Sequence, residues 1–211
     1  MKPFLLVLSS PSGGGKTTIA RALVSAREDV GYSVSATTRN AREGETEGVD
    51  YHFFDRDEFI SRRAAGEFLE WAEYGGSLYG TLTREVEAVL TSGRHVVLDI
   101  EVQGARLVRE RWDDVVSIFI LPPSAGELVR RLEGRGAMQN LKERMLTAIE
   151  ELEEASAYDY IVVNDDRMQA VSEVAAIVDS ESCRSHRVSS LQEDVANLRR
   201  ELTEIVSCLE H

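Results

Sequence analysis

The chain has little with which to cross-link itself, enter a membrane or hold a polyanion. Its two cysteines, Cys183 and Cys208, lie near the C-terminus without metal-like spacing. That gives no disulfide framework and no zinc site, and it fits a reducing, cytoplasmic setting. No apolar run has the length of a membrane span, and MKPFLLVLSS is too short for a secretory signal. Lysine and arginine number 24 against 37 acidic residues, a formal net charge of -13. The deficit argues against duplex DNA or an anionic membrane as the main partner. It leaves room for small anionic ligands, because a few grouped arginines can serve a phosphate inside a negative molecule.

What is present is an ordinary globular mix, 43% hydrophobic and 29% charged over 211 residues, which suits one domain or one domain with an appendage. Apolar runs of strand length recur at Phe4–Leu8, His95–Ile100, Val115–Leu121 and Tyr160–Val163. Helical patterns lie between them, at Lys16–Arg27, Val102–Arg111, Ser124–Arg135 and Leu141–Ala157. Near-continuous apolar strands alternating with helices predict an α/β fold whose parallel sheet is covered on both faces. The stretch 33–81 is polar, with β-like pieces such as DYHFF and EFLEWAEY, and reads as a small mixed insertion. At the C-terminus, Val188, Leu191, Val195, Leu198, Leu202, Ile205 and Leu209 are spaced alternately by three and four, an a/d heptad seam. Asp194 falls at g and Arg199 at the following e. The seam can pair with a second chain or pack back on its own domain, and both readings stay open.

The segment LLVLSSPSGGGKTT has an apolar strand, a glycine-rich turn and a helix-forming continuation, the context of a phosphate loop. Ser12, Gly13, Gly14 and Gly15 let backbone N–H groups turn toward phosphate oxygens. On this motif Lys16 should bridge β- and γ-phosphate oxygens, the Thr17 hydroxyl should reach Mg²⁺, and Thr18 continues into the helix, whose N-terminus favours an anion. The first glycine of the usual G-x-x-x-x-G-K-[ST] pattern is Ser10 here, which fits if its φ is negative. A plain glycine-rich turn would leave Lys16 and Thr17 without a reason. Asp99 closes the apolar run HVVLDI, where a carboxylate can orient Mg²⁺. Within the insertion Arg39 and Arg42 stand three apart, followed by Glu45 and Tyr51. Two guanidinium forks and a phenol suit a compact phosphate monoester, although such composition is more often a solvated charged loop.

SPSGGGKTT, SVSATTRNAREGETEGVDYHFF, FLEWAEYGGSLYGT, LDIEVQGA, RRLEGRG and YDYIVVND, in this order, resemble the bacterial type of guanylate kinase over residues 4 to 178. The resemblance implies a P-loop kinase core at 1–32, 82–124 and 158–180 and a GMP-binding insertion at 33–81. It further implies a helical lid with flanking helices at 125–157, leaving a C-terminal helix at 181–211 outside. The activity implied is transfer of the ATP γ-phosphate to GMP or dGMP with Mg²⁺. Ser35 and Thr81 would contact the guanine O6 side, and Glu70 would accept from N1–H and the exocyclic amine. Arg39, Arg42, Tyr51 and Tyr79 would hold the GMP phosphate, with Glu45 orienting Arg42 or its loop. Asp99 would lie between acceptor and metal, with Glu101 nearby. Asn164 would take the adenine of ATP, and Arg131, Arg135 and Arg144 would surround the transferring group.

The chain departs from the family at Ser10 and in the lid, where GAMQNLKER replaces the usual acidic, serine-bearing stretch. Neither change removes a charge that the chemistry needs. A protein-binding scaffold of this fold would not be expected to keep Lys16, Thr17, Asp99, Arg39 and Arg42 together. A kinase of phosphorylated sugars would not need Glu70 with Ser35 and Thr81.

Overall fold

The computed structural model describes residues 1–133 and 141–209. Five strands, β1 (Leu5–Ser9), β2 (Val30–Tyr32), β7 (His95–Asp99), β8 (Val115–Leu121) and β9 (Tyr160–Val163), form the main sheet. Their order is β2-β7-β1-β8-β9 and every pairing is parallel. Successive side chains of a strand point to opposite faces, so an all-apolar strand needs cover on both. Leu6 and Leu8 of β1 join Ile19 and Leu23 of α1 (Lys16–Ala26) and Val174 and Val178 of α7 (Arg167–Ser182). Leu5 and Val7 join Val86 of α3 (Thr83–Thr91) and Ala105 and Val108 of α4 (Val102–Arg111) on the other face. The expected doubly covered parallel sheet is what forms.

Helix limits differ from expectation for local reasons. α5 (Ala125–Glu133) begins one residue late because the Ser124 hydroxyl accepts from the Glu127 N–H at 3.1 Å, as an N-cap does. Its expected end at Arg135 lies outside the described residues. α6 (Leu141–Glu153) stops short of Ala157, and Glu154–Ala157 tighten into a 3₁₀ turn.

A second sheet of four strands, β3 (Ser35–Thr37), β4 (His52–Phe53), β5 (Phe68–Tyr74) and β6 (Ser77–Leu82), runs in the order β4-β3-β6-β5. α2 (Arg56–Ala64) is started by an Asp55 cap on the Glu58 N–H and buries Phe59 against Ala36, Leu78 and Leu82. Register puts Ser35 opposite Thr81 on β6, and Thr81 opposite Glu70 on β5. The pairing shifts between Phe68 and Glu70, an irregularity of the kind that re-aims a side chain.

The C-terminal segment is pinned before it leaves the body. Arg187 is 2% exposed and donates to Asp114 Oδ1 through Nε at 3.0 Å and Nη2 at 2.7 Å. It also pairs with the Glu181 carboxylate and lies 4.3 Å over the Phe4 ring. Beyond it, α8 (Leu191–Leu209) leaves its heptad seam uncovered, with Leu198, Leu202 and Ile205 exposed by 56–60%. The stripe does not pack back on its own domain.

Arg187→Ala would leave Glu181 and Asp114 with the more exposed Arg184 and Lys2 as their cations. The expected loss is about 3 kcal/mol, read by chemical denaturation, and a loss below about 1 kcal/mol would contradict the buried network.

Candidate active site

β1 sits at the centre of the sheet, with the strand that precedes α4 on one side and β8 on the other, so its C-terminal end opens at a topological switch point. There the chain turns through residues 10–15 into α1. No non-glycine residue among those described has a positive φ, so Ser10 adopts ordinary backbone geometry. Its side chain is buried beneath Gly14, where an added Cβ would lie 2.6 Å from Ser10 Cβ. Gly15 caps α1 with φ +98°, and a Cβ there would meet Asn164 Nδ2 at 2.4 Å. The same Asn164 amide donates to the Gly14 carbonyl at 2.8 Å and ties the end of β9 to the loop.

Register places Asp99 beside Leu8, which brings β7 to the start of the loop. Lys16 Nζ donates to Glu101 Oε1 at 2.9 Å and lies 4.0 Å from Asp99 Oδ1. Burial alone would lower the lysine pKa, but the Glu101 and Asp99 carboxylates outweigh it and hold it well above the ordinary range. Burial pushes the Asp99 carboxyl up, opposed by Lys16 and by hydrogen bonds from Thr17 and Tyr32. Asp99 Oδ1 and Glu101 Oε2 are buried with no hydrogen-bond partner among the described residues.

The second sheet faces this cluster. Thr81 Oγ1 donates to Glu70 Oε1 at 2.7 Å. Burial pushes the Glu70 carboxyl up to about 7, against the pull of Thr81. Ser35, Tyr51, Glu70 and Tyr79 line a cavity with Lys16, Asp99 and Glu101. Its free volume is about 40 Å³. Arg39 donates to Glu45 through both terminal nitrogens, at 2.8 and 2.9 Å, and lies 5.2 Å over the Tyr51 ring. Its Nε is buried without a partner among the described residues. Glu45 orients the Arg39 guanidinium and accepts from the Arg42 N–H at 2.7 Å. Through that bond it holds the Arg42 loop, and no contact to the Arg42 guanidinium is found among the described residues. Arg42 is exposed, and its guanidinium has no ion-pair partner among the described residues.

On the opposite side, a cavity of about 410 Å³ is lined by Gly13, Gly15, Thr18, Arg131 and Asn164, joined by Arg130 and Arg167. Arg131 donates to Glu127 Oε1 at 2.6 Å and to the Asn164 carbonyl at 3.0 Å. Arg144 donates to the Leu132 carbonyl at 2.8 Å and to Ser12 Oγ at 3.5 Å. Arg135 lies outside the described residues.

Three residues at this centre carry no signal in the sequence. Tyr74 lines the smaller cavity. Gly104 touches Glu70, since a Cβ there would lie 2.5 Å from Glu70 Oε2. Glu151 of α6 accepts from the Ser12 N–H at 3.0 Å, and burial followed by the charge of Glu101 pushes its carboxyl up to about 7. A glycine in LDIEVQGA reads as a helix residue and a glutamate in EELEE as a solvated face. Only the fold brings them to the site.

Residues 2–181 match the family model described as guanylate kinase. The chain is 46% identical over 188 residues to the guanylate kinase of Symbiobacterium thermophilum, with 88% of this chain and 89% of that protein covered. It is 48% identical over 187 residues to that of Enterococcus faecalis, covering 87% and 92%. The crystal structure of guanylate kinase from Anaplasma phagocytophilum superposes with a TM-score of 0.77 at 38% identity, covering 90% and 92%.

Gly104→Ala is expected to swing Glu70 off Thr81 and to destabilise the chain by about 1–3 kcal/mol through overpacking. A crystal structure of the variant that retains the 2.7 Å bond would contradict it.

Proposed function

The chain belongs to the guanylate kinase family and is an ATP:GMP phosphotransferase, and from that premise we propose how its residues divide the work. The observation that carries the proposal is Glu70, a buried carboxylate held by Thr81 and facing the cavity that contains Lys16. Its ionised form accepts from guanine N1–H and the exocyclic amine, while Ser35 and Thr81 stand beside it for O6. Adenine has no donor at N1 and would leave the carboxylate unpaired. A site of that kind rejects the wrong base by roughly 10⁴. dGMP, which carries the same base, is accepted as well.

The acceptor phosphate falls to Arg39, Arg42, Tyr51 and Tyr79. The buried, unpartnered Nε of Arg39 supports that role, and the exposed Arg42 has to turn inward to share it. The second sheet is expected to close over GMP, keeping water from the γ-phosphate. ATP lies along the loop from Ser12 to Thr18, with its base toward Asn164 and the larger cavity. The acceptor is already an anion, so no strong base is needed. The barrier lies in bringing two anions into line, and positioning with cationic charge lowers it. Lys16 exchanges Glu101 for phosphate oxygens, and Arg131, Arg135 and Arg144 add charge from the lid side.

Mg²⁺ fits the residues present. Asp99 Oδ1 is buried without a hydrogen-bond partner and Thr17 adjoins the same carboxylate. Hard oxygen donors of this kind hold the ion together with substrate phosphates and water. It would supply positive charge against the reacting phosphates. A cytoplasmic location agrees with substrates of this class.

For α8 we propose a second copy of the chain as the partner, in a parallel pair. The a/d seam is uncovered, and Asp194 at g meets Arg199 at the following e of its mate. Leu198→Glu with Leu202→Glu is expected to convert a dimer to a monomer by light scattering without altering turnover. A monomeric wild-type chain would remove the proposal.

A coupled ADP-release assay with Mg·ATP tests the function, GMP and dGMP being turned over and AMP and UMP not. Glu70 must be ionised to accept both guanine donors, so its protonation opposes binding. GMP affinity is expected to fall as pH drops through about 7, approaching tenfold per unit. The GMP phosphate gains its own proton near pH 6. Glu70→Gln keeps that titration and should lose the one near 7, along with most discrimination against AMP. Superimposable pH profiles for the two proteins would show that the base is read elsewhere.

A further inference from the structure

Ser12 is where α6 meets the phosphate loop. Its N–H donates to Glu151 Oε2 at 3.0 Å and its hydroxyl accepts from Arg144 at 3.5 Å. Residues 144 and 151 are seven apart, so two turns of one helix face reach the same loop residue. Tyr74 of β5 adjoins them. Burial is the main cause that pushes its phenol up to about 12, the charge of Glu151 adds to it, and the Ser12 hydroxyl opposes it. Phosphate loop, α6 and second sheet therefore meet around Ser12, and Glu151 holds its backbone amide.

Glu151 is 7% exposed, and no ion pair to it is found among the described residues. A carboxylate buried without a cation is a poor way to pack a helix, and an apolar side chain would do that better. Its value lies in the acceptor it offers. A buried N–H needs a partner, and a charged oxygen holds one more firmly than a neutral oxygen does.

We propose that Glu151 is a positioning residue for ATP: by holding the Ser12 N–H it fixes the entry to the phosphate loop, and it makes the shape of the loop depend on the docked position of α6. The inference rests on the reading of this loop as the ATP cradle and adds a residue that does not touch the nucleotide. Arg144 on the same face keeps its own task toward the phosphates.

Calorimetric titration at pH 8, where a carboxyl raised to about 7 is ionised, of wild type, Glu151→Gln and Glu151→Ala with Mg·ATP and, separately, with GMP tests it without requiring turnover. Glutamine keeps the shape and an acceptor oxygen but loses the charge, and should weaken ATP about fivefold. Alanine removes the acceptor and should weaken ATP at least tenfold. GMP affinity should stay within twofold in both, since Glu151 acts on the loop and not on the base pocket. ATP affinity of the glutamine variant within twofold of wild type would overturn the proposal. Equal weakening of ATP and GMP would also overturn it, because that is the mark of general loosening. Thermal melts show whether the alanine variant folds, and if it does not, the glutamine variant decides alone. Wild-type turnover with GMP tests the kinase reading separately: a chain that binds ATP but fails to turn over would fail that reading and leave this one standing.

Discussion

A buried ammonium group facing two carboxylates sets the terms for the rest of the site. Lys16 reaches the end of the sheet because α1 starts at it, and Asp99 and Glu101 reach it because β7 ends beside β1. Lys16 is bonded to Glu101. The negative charge of Glu101 extends further, since it raises the carboxyls of Glu70 and Glu151 behind the larger effect of burial. The centre is thus an acidic enclosure around one lysine, with Asp99 Oδ1 and Glu101 Oε2 buried and without hydrogen-bond partners among the described residues. Arginines stand around it on separate elements, Arg39 beside the second sheet, Arg131 on α5 and Arg144 on α6.

Much of this was legible in the sequence. The apolar runs predict the central strands, because burial on both faces leaves an unbroken apolar signature, and the 3.6-residue patterns predict the helices between them. The phosphate loop is local in sequence, and its glycines and lysine declare themselves. β2, α3 and α7 were not read. β2 is three residues long, and α7 carries apolar residues around most of its surface, so neither presents a clean period. Glu45 stands near Arg42 in sequence and does hold its backbone N–H, but the turn also closes so that both its oxygens face Arg39, a pairing the spacing alone does not reveal.

The residues that sequence reasoning passed over share a cause. Gly104 has its reason in Glu70, thirty-four positions earlier, and Glu151 has its reason in Ser12, near the other end of the chain. Each looks ordinary in its own helix. A glycine required by a neighbour's side chain, or a carboxylate required by a distant amide, becomes visible only when tertiary contacts are known. Local signals report local needs.

Ser10 changes how freedom to vary is distributed within the loop. In the usual pattern position 10 is the glycine, and the residue four places on may carry a side chain. Here the volume is occupied from below, by a Cβ that stands where one on residue 14 would have to go. Glycine at 10 would remove the nearest obstacle, yet the Pro11 carbonyl oxygen would still stand 3.0 Å from a Cβ on residue 14. Variation at residue 14 is therefore limited by the loop's own atoms, side chain and backbone together, before any nucleotide is considered.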